Sequence, residues 1–133
     1  YGLAVEDDLV LFSDMWEAAG RAGMEQLLAL LNPPDAVFSA SDFSVAGAMR
    51  VLKERGLRIP QDVALAGFSN ESFCSLTEPG LTSVDQCPEE MGRAAMQLLM
   101  EMVHDTGEVV VAPRKVVIQP RLMKRESSLK GKG

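Results

Sequence analysis

Few side chains in this sequence have the chemistry that catalysis or metal binding needs. His104 is the only imidazole, and it lies late in a predicted helix, where the helix dipole stabilises a cation. Cys74 and Cys87 form no CxxC pair, and without a second histidine they predict no zinc site. The sequence also lacks a GxSxG nucleophile motif, a P-loop and a GxGxxG phosphate-binding motif. It therefore predicts no catalytic residue, no metal site and no cofactor.

Compact polar side chains instead follow three of the predicted strands. Ser41 and Asp42 follow the second strand, Ser69 and Asn70 follow the third, and Gln86 follows the fourth. Ligands of a parallel sheet bind outside the carboxyl ends of its strands, where these residues would converge. Hydroxyl, amide and carboxylate groups in one crevice suit a neutral polyhydroxylated ligand, because each buried ligand hydroxyl must find a hydrogen-bond partner.

Two of these candidate ligand-binding residues, and a further candidate, Trp16, also have a purely structural interpretation. Asp42 could serve only as the N-cap of the helix that follows it, and Asn70 could serve only to form a turn. Trp16 is the only tryptophan and lies just after the first predicted strand. It could stack on the face of a sugar or pack against its own helix, and packing is the interpretation we favour.

Strands and helices alternate along the chain and would position these residues. Short apolar runs predict strands at 9–12, 36–39, 63–68, 81–85, 109–111 and 116–118, and apolar periodicity predicts helices at 16–31, 43–54 and 88–104. Ser13 or Asp14 is expected to cap the first helix, and Pro120 indicates that the strand at 116–118 is an edge strand or ends there. The pattern predicts an α/β fold, a Rossmann-like parallel sheet with helices on both faces. Residues 126–133 contain no candidate core residue and are expected to form a frayed, flexible tail.

Composition limits the classes of function further. The 133 residues include 13 Lys and Arg against 19 Asp and Glu, a net charge of −6, which argues against direct binding to a nucleic-acid backbone or an anionic membrane. No apolar run approaches the ~20 residues that span a bilayer, and the first residues do not resemble a signal peptide. Two isolated cysteines are typical of a reduced, cytoplasmic protein. Because the chain lacks an initiator Met and begins within a pattern, we expect it to be a fragment.

Seven short motifs follow one another over nearly the whole chain. They are PDAVFSASD at 34–42, AGAM at 46–49, RGLRIPQDV at 55–63, GFSN at 67–70, PGLTSVDQ at 79–86, EMGRAA at 90–95 and RLMKRESS at 121–128. In this order they resemble bacterial transcription regulators of the lactose/galactose repressor (LacI/GalR) family. Each motif alone is weak, whereas the ordered set is specific.

The resemblance implies an effector-binding domain shaped like a periplasmic sugar-binding protein, with a ligand between two Rossmann-like subdomains. Residues 1–125 would form the C-terminal portion of that domain, and the helix at 88–104 would pack on the N-terminal subdomain. Because that partner is absent here, we expect the helix to mediate self-association. The family also implies a homodimer that contacts operator DNA only through an N-terminal helix-turn-helix absent from this chain.

The chain departs from the family at two expected ligand contacts. Ser41 stands where the family usually has asparagine, although Asp42 after it is retained. Ser69 stands where an aspartate usually grips sugar hydroxyls, whereas Gln86 matches the family's crossover glutamine. The residues that we expect to bind ligand are Trp16, Ser41, Asp42, Ser69, Asn70 and Gln86. The shorter groups leave the identity of the effector open.

The sequence thus favours one function and leaves two alternatives. The leading hypothesis is an effector-sensing fragment of a LacI-type regulator that binds a small polar ligand such as a sugar and controls operator binding through the dimer. The first alternative is a periplasmic sugar- or solute-binding protein of the same fold. The second, an enzyme on a Rossmann-like scaffold, lacks a nucleophile, a base and a cofactor motif.

Overall fold

The part of the chain that the structure describes forms a single four-stranded sheet with three helices. A computed structural model describes residues 6–104 and 114–130. The helices are α1 (Glu17–Leu28), α2 (Asp42–Glu54) and α3 (Pro88–His104), and the strands are β1 (Ala36–Phe38), β2 (Ala64–Phe68), β3 (Thr82–Asp85) and β4 (Arg121–Met123). The strand order is β1-β2-β3-β4; β1, β2 and β3 are parallel, and β4 runs antiparallel to β3. The α/β fold class is confirmed, but the sheet is mixed and not wholly parallel.

The core lies between the sheet and the pair α1 and α2. Leu52 on α2, Leu65 on β2 and Leu81 just before β3 are fully buried in one apolar cluster. The two helices approach closely because α1 carries Gly20 at the crossing. A Cβ there would lie 1.9 Å from the carbonyl oxygen of Ser44, so only glycine fits without a shift of the backbone.

The first predicted strand is wrong. Residues Asp7–Leu9 form a short 3₁₀ turn, the chain beyond it has no regular structure, and Phe12 is 94% exposed. A strand needs a hydrogen-bonded neighbour, and β1 pairs only with β2 in the described part of the chain. A hollow of about 340 Å³ lies between residues 9–15 and the open edge of β1. The apolar run therefore lies beside the sheet without joining it.

The first helix is shorter than predicted. It begins after Trp16, whose backbone N–H donates to Oδ1 of Asp14 at 3.2 Å, and it ends at Leu28. Neither Ser13 nor Asp14 is the N-cap, so that prediction is wrong by two residues or more. Leu31, which was expected to extend the apolar face of the helix, lies beyond its end and is almost fully exposed.

The last part of the described chain also differs from the prediction. Residues 116–118 are not a strand, and the strand that follows Pro120 was missed. Pro120 therefore precedes a strand and does not end one. The tail from Glu126 was expected to contribute no core residue, yet Ser127 is fully buried and its hydroxyl donates to the carbonyl of Leu65 at 2.7 Å. The predicted strand at 109–111 lies outside the described residues.

Helices α2 and α3 and strands β1 to β3 agree with their predicted positions to within two residues. None of the described helices is both long enough and apolar enough to cross a lipid bilayer. Cys74 and Cys87 are free and buried.

Candidate functional site

Asp42 lies at the centre of the carboxyl ends of the parallel strands, and it is fully buried. It is the first residue of α2, and Ser41 is the N-cap, so the prediction of Asp42 as an N-cap is wrong. Its carboxylate accepts the backbone N–H of Glu71 at 2.9 Å and the hydroxyl of Ser83 at 2.7 and 3.0 Å. A Cβ at position 67 would lie 2.1 Å from Oδ1 of Asp42, so the carboxylate also requires Gly67. Asp42 thus ties α2 to β3 and to the loop after β2.

Asn70 is a second internal link at this edge. Its backbone has a φ of 55°, a left-handed conformation that asparagine tolerates better than most residues. Its side chain donates to Asp85 at 3.3 Å and accepts from the guanidinium of Arg125 at 2.8 Å. Both ends of the amide are therefore used within the protein.

Ser41 is buried and holds the segment that precedes α1. Its hydroxyl donates to the carbonyl oxygen of Met15 at 2.8 Å. Like the side chains of Asp42 and Asn70, this hydroxyl hydrogen-bonds to a neighbouring protein group. Three of the six residues predicted to contact ligand thus hydrogen-bond to groups within the protein.

Ser69 and Gln86 form a pair at the mouth of the same edge. Nε2 of Gln86 donates to Oγ of Ser69 at 3.1 Å, and both residues are half-buried. With Glu71, Pro88 and Met91 they line a hollow of about 270 Å³. Ser69 has a φ of 120°, which residues other than glycine rarely adopt, and such strain is concentrated at ligand-binding sites. This pair thus lines the hollow with a hydroxyl and an amide.

Trp16 belongs to a line of three aromatic side chains, which we call the aromatic row. Its ring centroid lies 5.6 Å from that of Phe43 at an interplanar angle of 50°. Phe43 in turn lies 5.3 Å from Phe73 at 56°. The indole therefore packs against α2 and not against its own helix, and because it is still 65% exposed, its stacking on a sugar stays a prediction.

Sequence reasoning missed Phe43, Phe73 and Glu71. Phe43 directly follows Asp42, and Phe73 lies in the loop after β2 that also contains Glu71. Only 5% of the residues are aromatic, so an aromatic residue beside a polar strand end was a signal that the sequence carried. The packing of the three rings against one another could not be found that way, because they belong to separate elements.

The site offers no activated nucleophile among the described residues. Burial, together with the nearby Asp42 carboxylate, raises the pKa of the Cys74 thiol to about 12. That thiol is therefore protonated and unreactive at neutral pH. No three His, Cys, Asp or Glu side chains of residues 6–104 and 114–130 lie close enough to hold a metal ion.

Comparison with known proteins assigns this chain to a family. Residues 4–128 match the periplasmic binding protein-like domain. The HTH-type transcriptional regulator CelR of Thermobifida fusca is 39% identical over 95% of this chain, which spans 36% of that regulator.

Two solved structures have the same fold. A putative LacI-family transcriptional regulator from Sanguibacter keddieii superposes with a TM-score of 0.87 and is 39% identical, over 95% of this chain and 46% of its own. A complex of the transcriptional regulator CelR with cellobiose has a TM-score of 0.86 and is 38% identical, over 96% of this chain and 38% of its own. The chain thus spans less than half the length of each. It belongs to the periplasmic binding protein-like family, and its relatives there are LacI-type transcriptional regulators.

Proposed function

We propose that this chain senses a small, neutral, polyhydroxylated ligand, a sugar, as the C-terminal portion of the effector-binding domain of a LacI-type regulator. The observation that carries the proposal is the Ser69–Gln86 pair. The two side chains line a hollow at the strand ends, and the backbone of Ser69 has a strained conformation. A hydroxyl and a primary amide supply both donors and acceptors, as sugar hydroxyls require. The cellobiose complex of a relative supports the same ligand class.

In this proposal the six predicted site residues have two roles. Ser69, Gln86 and Trp16 contact the ligand. Ser41, Asp42 and Asn70 are positioning residues, because their polar groups already bind protein partners.

The regulatory mechanism is a shift of population between conformations. Ligand held between this lobe and the N-terminal lobe stabilises the closed form of the domain, and closure changes the arrangement of the two subunits of a homodimer. Operator DNA is contacted through a helix-turn-helix outside this sequence, in keeping with the net charge of −6. The protein acts in the cytoplasm as a regulator and not as an enzyme, as the regulator names of its relatives suggest.

Helix α3 contributes to the same arrangement. Met96, Leu99 and Met102 on this helix are exposed, so the helix presents a largely apolar surface. We propose that the N-terminal lobe of the effector-binding domain covers this surface in the intact regulator. Size-exclusion chromatography with light scattering would give a larger species for the isolated chain if that surface instead pairs two copies.

A thermal-shift screen of the intact gene product tests the proposed function. The panel contains monosaccharides, disaccharides, sugar phosphates and nucleosides. A ligand at 100 times its Kd should stabilise the protein by about 2.7 kcal/mol. Ser69→Ala and Gln86→Ala should remove that shift, while Gln97→Ala, on an exposed position of α3, should keep it. A panel without any hit, or a hit equally strong in all three variants, would contradict the proposal.

A further inference from the structure

The backbone has an unusual conformation beside both members of the Ser69–Gln86 pair. Ser69 has a φ of 120°, and Asn70 after it has a φ of 55°. Cys87, which follows Gln86, also has a φ of 55°. Such conformations are uncommon for residues other than glycine and persist only where surrounding groups hold them. The positions of the two proposed ligand contacts therefore depend on what fixes the residues that follow them.

A single carboxylate joins these two stretches of backbone. Oδ2 of Asp85 accepts the side-chain NH₂ group of Asn70 at 3.3 Å, and Oδ1 accepts the backbone N–H of Cys87 at 2.7 Å. The carboxylate can hold both only while Asn70 turns its NH₂ group towards it, because a carboxylate is only an acceptor. The orientation of the Asn70 amide therefore affects both members of the pair.

Arg125 determines which way the Asn70 amide faces. Its guanidinium donates to Oδ1 of Asn70 at 2.8 Å and to the carbonyl oxygen of Leu81 at 2.6 Å. Because a guanidinium has only donors, the amide presents its oxygen to Arg125 and its NH₂ group to Asp85. We call the three side chains of Arg125, Asn70 and Asp85 the polar relay.

The backbone of Arg125 is itself firmly held. Its N–H donates to Oγ1 of Thr82 at 2.8 Å, and its carbonyl oxygen accepts from the same hydroxyl at 2.9 Å. Two residues further on, the fully buried hydroxyl of Ser127 accepts the backbone N–H of Thr82 at 2.8 Å. Arg125 is half-buried, whereas the residues on either side of it are exposed. The segment after β4 thus gives the guanidinium a fixed position.

We infer that Arg125 is a positioning residue of the ligand site, which acts through the polar relay on the backbone next to Ser69 and Gln86. The inference rests on the proposed function, because it requires that this pair contacts the ligand. Arg125 does not line the hollow of about 270 Å³, so its effect on binding is indirect. Without Arg125 the carbonyl oxygen of Asn70 loses its donor, the amide is free to rotate, and its hydrogen bond to Asp85 weakens.

Hydrogen exchange of the intact gene product without ligand tests the polar relay. Arg125→Met keeps an unbranched side chain and removes every donor. We expect it to speed exchange of the Cys87 backbone N–H about fivefold, the effect of losing the net contribution of one hydrogen bond. Arg121→Met is the matched control, because the Arg121 guanidinium pairs with the exposed Glu90 at 2.7 Å. It should leave exchange at Cys87 unchanged.

Calorimetric titration with cellobiose, ribose and glucose tests the positioning role. We expect Arg125→Met to raise the Kd of the sugar that binds best about tenfold, which corresponds to about 1.4 kcal/mol. Arg121→Met should change the same Kd by less than about twofold. Thermal unfolding of each variant without ligand checks that the fold is retained.

An exchange of the two inner groups of the polar relay provides a rescue. Asn70→Asp places two carboxylates face to face, and Asp85→Asn places two NH₂ groups face to face, so each alone should weaken binding about tenfold. The double variant has the carboxylate beside Arg125 and the amide beside Cys87, and it keeps every hydrogen bond of the relay. Its Kd should return to within about threefold of the wild-type value. This rescue decides the question even where Arg125→Met unfolds.

The variants separate failure of this inference from failure of the proposed function. If Cys87 exchanges no faster in Arg125→Met than in Arg121→Met, the polar relay is wrong. If exchange is faster but both variants bind sugar equally well, or if the double variant binds no better than the single ones, Arg125 has no positioning role and the sugar site stands. If the wild-type protein binds none of the sugars, the proposed function fails and the positioning role fails with it.

Discussion

The sheet and helix α3 are both rich in apolar residues, but they bury them to very different extents. Leu52, Leu65 and Leu81 are sealed in the core between the sheet and α2. On α3, Leu99 is 52% exposed, although the spacing of its apolar residues is as helical as that of α2. Periodicity thus shows which face of an element is apolar. Whether that face is buried depends on a partner, which the element's own sequence does not specify.

The largest expected effect tests this difference directly. Leu52→Ala should lower the free energy of unfolding by about 3 kcal/mol, because it leaves a cavity in a packed core. Leu99→Ala makes the same chemical change on α3 and should alter stability by no more than about 0.5 kcal/mol. Urea denaturation of the chain measures both. An equal loss at Leu99 would mean that the apolar face of α3 is buried in solution, and it would remove the contrast between the two regions.

Glycine substitutions provide a second matched pair. Gly20→Ala puts a Cβ 1.9 Å from the Ser44 carbonyl oxygen at the crossing of α1 and α2, and should destabilise the protein by about 2 kcal/mol. No atom lies within 4 Å of the same Cβ at Gly92 on α3. Gly92→Ala should therefore raise stability by about 0.5 to 1 kcal/mol, since alanine favours the helix. Thermal unfolding measures the direction of both changes in stability. A destabilising Gly92→Ala would contradict the open environment of α3.

A substitution of the buried Asp42 carboxylate at the strand ends should have the next largest effect on stability. Asp42→Asn replaces one acceptor oxygen by an NH₂ group that faces the donors Ser83 and Glu71, and should cost about 1.5 kcal/mol. Glu89→Gln at the exposed start of α3 is the control and should change stability by less than about 0.5 kcal/mol. Chemical denaturation compares the two. If Asp42→Asn is neutral, Asp42 is not the link between α2 and β3 that we describe.

The accuracy of prediction did not follow that division, since α3 agrees with its predicted bounds as well as α2 does although most of its apolar residues are exposed. Helices α2 and α3 and strands β1 to β3 were found because their own residues carry the apolar pattern. Strand β4 was missed, and the run at 9–12 was overpredicted, because strand formation depends on a hydrogen-bonded neighbour. Pro120 illustrates the problem, since it can precede an edge strand as readily as end one.

That polar residues meet at the strand ends was more predictable than the partners that each of them binds. Polar residues after parallel strands do converge at one edge, as Ser69 and Gln86 show. The sequence could not reveal that Asp42 and Asn70 use their polar atoms on Ser83 and Arg125, because those partners are distant in the chain. The aromatic row was hidden for the same reason.

The smallest effect concerns two exposed ion pairs, one in each region. Hydrogen bonds from the Arg58 side chain and then its backbone N–H lower the pKa of Asp62 from 3.8 to about 2. Because the folded-state pKa lies below the unfolded one, the pair stabilises the fold above pH 4, and this contribution is lost as the pH falls towards 2. Arg58→Gln should therefore flatten the decline in stability between pH 4 and pH 2, and NMR titration should show a higher Asp62 pKa.

Arg93 on α3 makes a single 3.2 Å contact with Glu89, and both side chains are largely exposed. Such a contact contributes little because solvent screens it and two long side chains must be ordered. Arg93→Gln should leave the stability profile between pH 4 and pH 2 as it is in the wild-type protein. The Arg58–Asp62 pair before β2 would then make stability depend on pH in this range, whereas the Arg93–Glu89 pair on α3 would not. If the two variants give the same profile, the side-chain hydrogen bonds of Arg58 do not distinguish its pair from an ordinary surface contact.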